Sequence, residues 1–471
     1  MGKRTKIVAT LGPTSNTMET ICELIDNGAN VFRLNFSHGT HEVHAALINL
    51  IHEATKKLNR HIGILGDLCG PKIRVGKFAN GSVVLKEGQT FTLSQDQGVI
   101  GGEKHVSTSY QYLVKDVVID STIFLDDGNI ALKAIGKGPD WVSFIVTQGG
   151  TLKDNKGMNI PGIKLSVETI TEKDKADLRF IIEQKLDFVA LSFVRSGNDL
   201  VELRKLIGEA PIRVVAKIEK PEAVDDLEAI LGLTDAVMIA RGDLGVEVPI
   251  EQVPAIQKHI LERCYRRGIL AITATQMLES MIANQRPTRA ETTDVFNAIL
   301  DGTDAVMLSG ETAVGKYPVA AVKMMLAIAT EAEKVLSQHT TSDHILPEVK
   351  HEVEDIVAHA ACEAAENAGS RAIIAFTNSG NTARNISKYH PSVPVFALSP
   401  FDNVCRRLSL SWGVEPILSA DLRNTDEMFT VAERTMKEQH LVKTGDVIVI
   451  VAGVPFGVKG NTNMMKLHKV S

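Results

Sequence analysis

Short apolar runs recur along the first two-thirds of the chain, separated by stretches with helical spacing. Ile7-Val8-Ala9-Thr10 comes first, followed by Val31–Leu34, Ile62–Leu65, Phe188–Leu191, Arg213–Ala216, Ala236–Ala240, Ile269–Ile272 and Ala305–Leu308. Apolar runs of this length, rich in β-branched residues and bounded by turn residues, read as buried strands. Segments such as Met18–Asn27, Glu42–Asn59 and Ala320–Val335 carry the helical period between them. Alternating strand and helix implies a parallel sheet with right-handed crossovers. Eight such units predict a (β/α)8 barrel, which carries its chemistry at the C-terminal strand ends. Polar residues collect at those ends: Asn35, Ser37 and His38; Asp67; Ser192; Lys217 and Glu219; Asp243; Thr275; Ser309 and Glu311.

Two regions break this rhythm. Between the third and fourth runs the chain is glycine-rich, with β-type runs at Ser82–Leu85, Thr90–Leu93 and Trp141–Val146. This predicts a small all-β domain inserted into a barrel loop, placed to act as a lid. After about Gln338, Leu346-Pro347 interrupts the helical pattern. Ala372–Phe376, Val395–Leu398, Pro416–Leu418 and Val447–Val451 then predict an open α/β domain. The expected fold class is α/β: a barrel over 1–70 and 167–340, a β-barrel lid over 71–166, and a C-terminal α/β domain over 341–471.

Length and composition narrow the function classes. A chain of 471 residues is too long for one core. Its net charge of −6 and aromatic fraction of 5% argue against a nucleic-acid binder, which needs a basic face or stacking platforms. Anionic small substrates remain open, because a few arginines can make a local positive cleft. The five cysteines are scattered, with no Cys-x-x-Cys, which predicts reduced thiols. The first residues lead directly into a strand, no apolar run is long enough to span a bilayer, and a cytoplasmic location is expected.

The strand-end residues carry the candidate chemistry. Charged groups at the end of a buried strand are costly unless paired, metal-bound or used. Glu219 and Asp243 follow adjacent runs, so their carboxylates can converge on one Mg2+ or Mn2+ ion. Lys217 and Glu219 are two apart and share a strand face; the lysine can stabilise charge developing on a phosphoryl group and an enolate. Gly242 and Asp243 open a helical pattern, where backbone N–H groups suit a substrate carboxylate. Arg33 and Arg74 are candidate phosphate clamps. In the C-terminal region, Thr377-Asn378-Ser379-Gly380-Asn381-Thr382 follows an apolar run and opens a helical pattern, the layout either of a phosphate cradle or of an ordinary capped turn. Thr288 and Glu291 form a capping-box pattern.

Five long motifs, in this order, resemble the pyruvate kinase family: Lys6–Pro13, Arg33-Leu34-Asn35-Phe36-Ser37-His38-Gly39, Lys217-Ile218-Glu219, Ala240–Gly245 and Ala274–Ser280. The resemblance runs from Lys6 to Val470. It implies transfer of the phosphoryl group of phosphoenolpyruvate to ADP in glycolysis, with Mg2+ on Glu219 and Asp243 and the transition-state role on Lys217. It places Arg33 and Arg74 near the phosphates, and Thr275 near the face where enolpyruvate is protonated. Asn35 and His38 match nucleotide-side residues, and Lys156 matches a lid lysine that reaches nucleotide phosphate. The resemblance also implies a homotetramer, with 286–291 near a subunit contact, and a phosphorylated effector at 377–382 under a loop running from Gly453 through Gly460-Asn461-Thr462.

One departure stands out. Many members bind K+ through residues matching Asn35, Ser37 and Asp67, a threonine after the aspartate and a nearby glutamate. Here Leu68 removes the hydroxyl and Lys72 stands in place of the glutamate. An ammonium there supplies the same charge covalently and repels a neighbouring K+, so K+ is expected not to be required. Two other readings stay open: a barrel lyase of the enolpyruvate type, and a catalytically silent sugar-phosphate sensor.

Overall fold

Eight parallel strands close into a barrel: Lys6–Thr10, Val31–Asn35, Gly63–Asp67, Phe188–Leu191, Arg213–Ile218, Ala236–Ala240, Leu270–Ala274 and Ala305–Leu308. The first and last are paired, with Lys6 opposite Ala305. The computed structural model describes residues 3–336, 348–349, 352–422, 424–455 and 461–471. All eight apolar runs are strands. Several continue beyond the apolar stretch into polar residues, because the ladder is made by backbone groups that are indifferent to side chain; Asn35 pairs with Asp67 in this way. The barrel axis is filled by small and branched side chains, among them Val8, Leu65, Val215, Met238 and Ile272.

The insertion between Asp67 and Phe188 forms a six-stranded sheet and a two-stranded ribbon around its own core of Phe91, Leu132, Val142 and Phe144. In the ribbon, Ser82–Leu85 pairs antiparallel with Gly150–Lys153.

The C-terminal region is a five-stranded sheet. Its strands Ala372–Phe376, Val395–Ser399, Val414–Leu418 and Val447–Gly453 are parallel, and Thr462–Lys469 runs antiparallel at the edge. The edge strand has no apolar run and was not foreseen; its side chains alternate between partial burial and exposure, leaving Met465 and Leu467 outward. The break expected at Leu346-Pro347 lies outside the described residues, as does Gly460.

This region seals the N-terminal mouth of the barrel. Leu410 joins the axial cluster from below. Lys6, 1% exposed, donates to the Val414 carbonyl at 2.7 Å. Arg406 pairs with Asp187 at 3.1 Å, and His390 with Asp304 at 3.1 Å. The opposite mouth is left for chemistry. Among the described residues no helix is long and apolar enough to cross a membrane.

Candidate active site at the C-terminal strand ends

Four charged side chains from three strands on one side of the barrel, bridged by Ser192 from the strand between Asp67 and Lys217, form one buried network. Arg33 donates through Nε to Asp67 Oδ2 at 2.7 Å, and its NH2 lies 2.7 Å from the same oxygen. Lys217 Nζ sits 2.9 Å from Glu219 Oε1 and 3.3 Å from Asp67 Oδ1, and donates to Ser192 Oγ at 2.7 Å. Glu219 Oε2 accepts the Phe193 N–H at 2.7 Å. Arg33 NH1 also reaches Thr10 Oγ1 at 3.1 Å. The alternation of a strand puts Lys217 and Glu219 on one side, and each charge has a partner that offsets its burial.

The electrostatics follow from this packing. Burial alone would raise the Asp67 carboxyl; Lys217 and Arg33 overcome it and hold the group below the usual carboxylate range. Burial would lower the Lys217 ammonium, but Asp67 and Glu219 together lift it above its ordinary value. Asp243 behaves differently. Burial, and then the charge of Glu219, push its carboxyl up to about 6. It takes no side-chain hydrogen bond or ion pair among the described residues. A buried carboxylate, Glu219, and a half-buried one, Asp243, that repel each other, the second without a donor among the described residues, fit a divalent cation that is held by both.

Asp243 lies in the first turn of the helix Arg241–Glu247. The Gly242 N–H donates to Thr275 Oγ1 at 2.8 Å, and that hydroxyl donates to the Ala274 carbonyl at 2.7 Å. A Cβ at Gly242 would lie 3.4 Å from Thr275 Oγ1, in ordinary van der Waals contact, so the hydroxyl packs directly against this turn. Thr275 and Gln276 both have positive φ, 65° and 54°. A β-branched residue there is strained. Arg241 braces the turn by donating to the Thr275 carbonyl at 2.9 Å while pairing with Asp294 at 2.7 Å.

Above the network lies a cleft of about 420 Å³ between barrel and insertion, lined by His38, Lys72, Arg74, Asp127, Lys156, Lys220 and Asp243 among others. That is the size of a small-molecule site. Arg74 NH1 donates to the Asn155 carbonyl at 2.9 Å, and Lys156 pairs with Asp126 at 2.6 Å. The cleft is positive on its barrel side: His38 is held below its ordinary pKa by burial and then by Lys72, Arg74 and Arg33. Lys72 is itself lowered by burial, and lies close enough to feel Arg74, Lys217 and Asp243. Asn35 is occupied locally, its Oδ1 accepting the Ser37 N–H at 3.0 Å. Leu68 is 1% exposed.

Sequence reasoning gave no role to Ser192, Phe193, Lys220 or Arg241. Ser192 was visible as a strand-end polar residue. The others act through backbone groups or through partners distant in sequence, which leave no local pattern.

In the C-terminal sheet, the 377–382 turn lines a separate pocket of about 60 Å³ with Gly453, Asn461 and Thr462. Thr382 and Thr462 share a hydrogen bond of 2.7 Å, and the Gly380 N–H donates to Thr377 Oγ1 at 2.9 Å. Thr288 and Glu291 form the expected capping box, and Glu291 additionally accepts from Ser280.

Comparison with known proteins agrees with this geometry. The model of the pyruvate kinase barrel domain matches residues 2–322, and that of the pyruvate kinase alpha/beta domain matches residues 355–468. The chain is 45% identical to the pyruvate kinase of Geobacillus stearothermophilus over 476 residues, covering 100% of this chain and 81% of that protein. It is 42% identical to the pyruvate kinase of Clostridium perfringens over 478 residues, covering 99% and 100%. The crystal structure of a pyruvate kinase from Cryptosporidium parvum superposes with a TM-score of 0.93 at 38% identity, covering 100% of this chain and 96% of that one.

Proposed function

This chain belongs to the pyruvate kinase family, whose members are phosphotransferases, and we propose that its barrel strand ends carry the transfer as follows. The bond between phosphorus and the enol oxygen of phosphoenolpyruvate breaks, a bond to a terminal phosphate oxygen of ADP forms, and the enolate left behind takes a proton at its terminal carbon to give pyruvate. Arg33 and Lys217 stabilise charge on the moving phosphoryl group, and Lys217 also stabilises the enolate oxygen. Gly242 and the start of its helix take the substrate carboxylate, which competes with Thr275 for the Gly242 N–H. The hydroxyl so released lies beside the carbon to be protonated. Arg74 and Lys156 face the nucleotide phosphates across the cleft, with Asn35 and His38 on the barrel side. Family members generally use Mg2+ or Mn2+; Glu219 and Asp243 would hold the ion, which supplies Lewis acidity to substrate oxygens.

The observation that carries this reading is the single buried network of Arg33, Asp67, Lys217 and Glu219 beneath a cleft roofed by Arg74 and Lys156. The cationic roof favours a two-phosphate reaction over an enolpyruvate-type lyase. A coupled assay for ATP and pyruvate is the test, and a Lys217→Met variant at full activity would refute it.

Three finer features are part of the proposal. K+ is not required, because Arg33, Lys217 and Ser192 already occupy the Asp67 carboxylate, Leu68 replaces a hydroxyl and Lys72 supplies a fixed charge. The 377–382 turn takes a phosphorylated effector; a phosphoenolpyruvate saturation curve unmoved by fructose 1,6-bisphosphate, AMP or ribose 5-phosphate would leave it structural. The chain self-associates as a tetramer, supported by the edge strand Thr462–Lys469, paired on one side only, with Met465 and Leu467 outward beside the exposed Val353 and Ile356. Light scattering measures that mass.

A further inference from the structure

We propose that Glu247 is the point at which the lid docks on the helix carrying Asp243, with Asn159 and Lys220 holding it there as positioning residues for phosphoryl transfer; this rests on the catalytic reading of the cleft. Glu247 closes the helix Arg241–Glu247, whose first turn holds Asp243. Its side chain is buried, and one oxygen, Oε1, accepts both from Lys220 Nζ at 2.6 Å and from Asn159 Nδ2 at 2.8 Å. Lys220 directly follows Glu219 in sequence. Asn159 belongs to the lid, in the short strand Met158–Asn159, three residues beyond Lys156. A single carboxylate oxygen therefore joins the segment of one candidate metal carboxylate, the helix of the other, and the lid.

Two further contacts place the lid on the same helix. The lid turn at Gly128 comes against Val246, 3.9 Å from the position a Cβ would take. Asp127, on that turn, lines the cleft together with Asp243. The Asn159 bond can be made only with the lid down, since an open lid returns the amide to water. Its acceptor is already paired with Lys220 at 2.6 Å, and a bond to a member of an ion pair is stronger than one between neutral groups. Lys220 gives the buried Glu247 side chain a cationic partner. Lid position and the seating of the Asp243 helix are thereby linked through one atom.

The test is a pair of lid substitutions and one on the helix. Asn159→Ala is expected to raise KM for ADP about tenfold and KM for phosphoenolpyruvate several-fold, with kcat falling no more than about threefold. Asn159→Asp, nearly isosteric, sets a carboxylate against Glu247 and is expected to be several-fold worse. Adding Glu247→Gln to Asn159→Ala should cost no more than Glu247→Gln alone. Hydrogen exchange should quicken in Asn159→Ala both at 126–128 and along 241–247, while melting temperature stays put. Wild-type KM and exchange in Asn159→Ala, or effects that multiply in the double variant, would overturn the proposal. Should Glu247→Gln fail to fold, the Asn159 pair decides alone. Should the protein transfer no phosphoryl group, the catalytic reading fails, while the exchange measurement still decides docking.

Discussion

Replacing Lys72 tests whether a side chain stands in for a monovalent cation. Its ammonium lies at the cleft, within the electrostatic reach of both Lys217 and Asp243. A unit charge on the order of 6 Å away, in a medium of effective dielectric about 20, contributes about 3 kcal/mol. Lys72 is exposed to solvent, so screening reduces this to about 1–2 kcal/mol, or roughly five- to thirtyfold in rate. In a coupled assay with Mg2+ and tetramethylammonium as the sole monovalent cation, the native chain should turn over within about twofold of its rate in K+. Lys72→Met should lose roughly five- to thirtyfold in tetramethylammonium. K+ should not restore it, because Arg33 and Lys217 still occupy the Asp67 carboxylate and Leu68 offers no oxygen. The double variant Leu68→Thr/Lys72→Glu supplies both missing ligands and should turn K+ into an activator. A native rate near zero in tetramethylammonium, restored by K+, refutes the reasoning. So does a Lys72→Met variant indistinguishable from the native chain.

Thr275→Ser keeps the hydroxyl on the Gly242 N–H and sheds a β-branch at φ 65°, so kcat should hold and stability should rise by about 0.5 kcal/mol in urea melts. Thr275→Val keeps the shape but loses the hydroxyl; kcat should fall about a hundredfold, and no loss would remove Thr275 from the chemistry. Asp187, buried at the sealed mouth and only partly compensated by Arg406, has its carboxyl pushed up to about 6. The folded chain then holds a proton that the unfolded chain releases near pH 4, so this group's contribution is fully present below pH 4 and is lost as pH rises through 6, by up to about 3 kcal/mol. Asp187→Asn should flatten the stability profile between pH 4 and 6, and an unchanged slope would contradict the burial argument. Glu291→Ala removes the capping box together with both bonds to Ser280, and should cost about 2–3 kcal/mol in denaturant melts.

The barrel was legible because each strand is buried on both faces and therefore reads as an uninterrupted apolar run. The same logic hid where the strands end. Asp67 and Lys217 belong to their strands by backbone pairing, but they break the apolar run that announces a strand. Lys217 and Glu219 stood out through their spacing alone, since two residues along a strand return to the same face. The roles of Ser192 and of the Phe193 N–H arise only when a neighbouring strand is laid beside them. Thr275 stands out in the sequence only as a polar residue at a strand end; its left-handed backbone and its bond to the Gly242 N–H come from tertiary packing. The bond from Asn159 to Glu247 spans 88 positions and leaves no periodic trace. The edge strand Thr462–Lys469 carries no apolar run, because Met, Lys, Leu and His alternate along it, and its outward Met465 and Leu467 emerge only once the pairing is laid out.

Lys6 has a consequence for how the chain comes into being. It begins the first strand of the barrel, yet that strand's neighbour, Ala305–Leu308, follows some three hundred residues later, and the carbonyl that receives its ammonium, on Val414, lies 408 positions away. At about 5–20 residues per second, the edge of a fully buried strand waits tens of seconds for its partners. During that interval it is an unpaired apolar edge of the kind that recruits other chains. Chaperone demand during synthesis should therefore concentrate on the amino-terminal segment, and pulse-labelled ribosome-bound chains should remain protease-sensitive there until the last barrel strand has emerged.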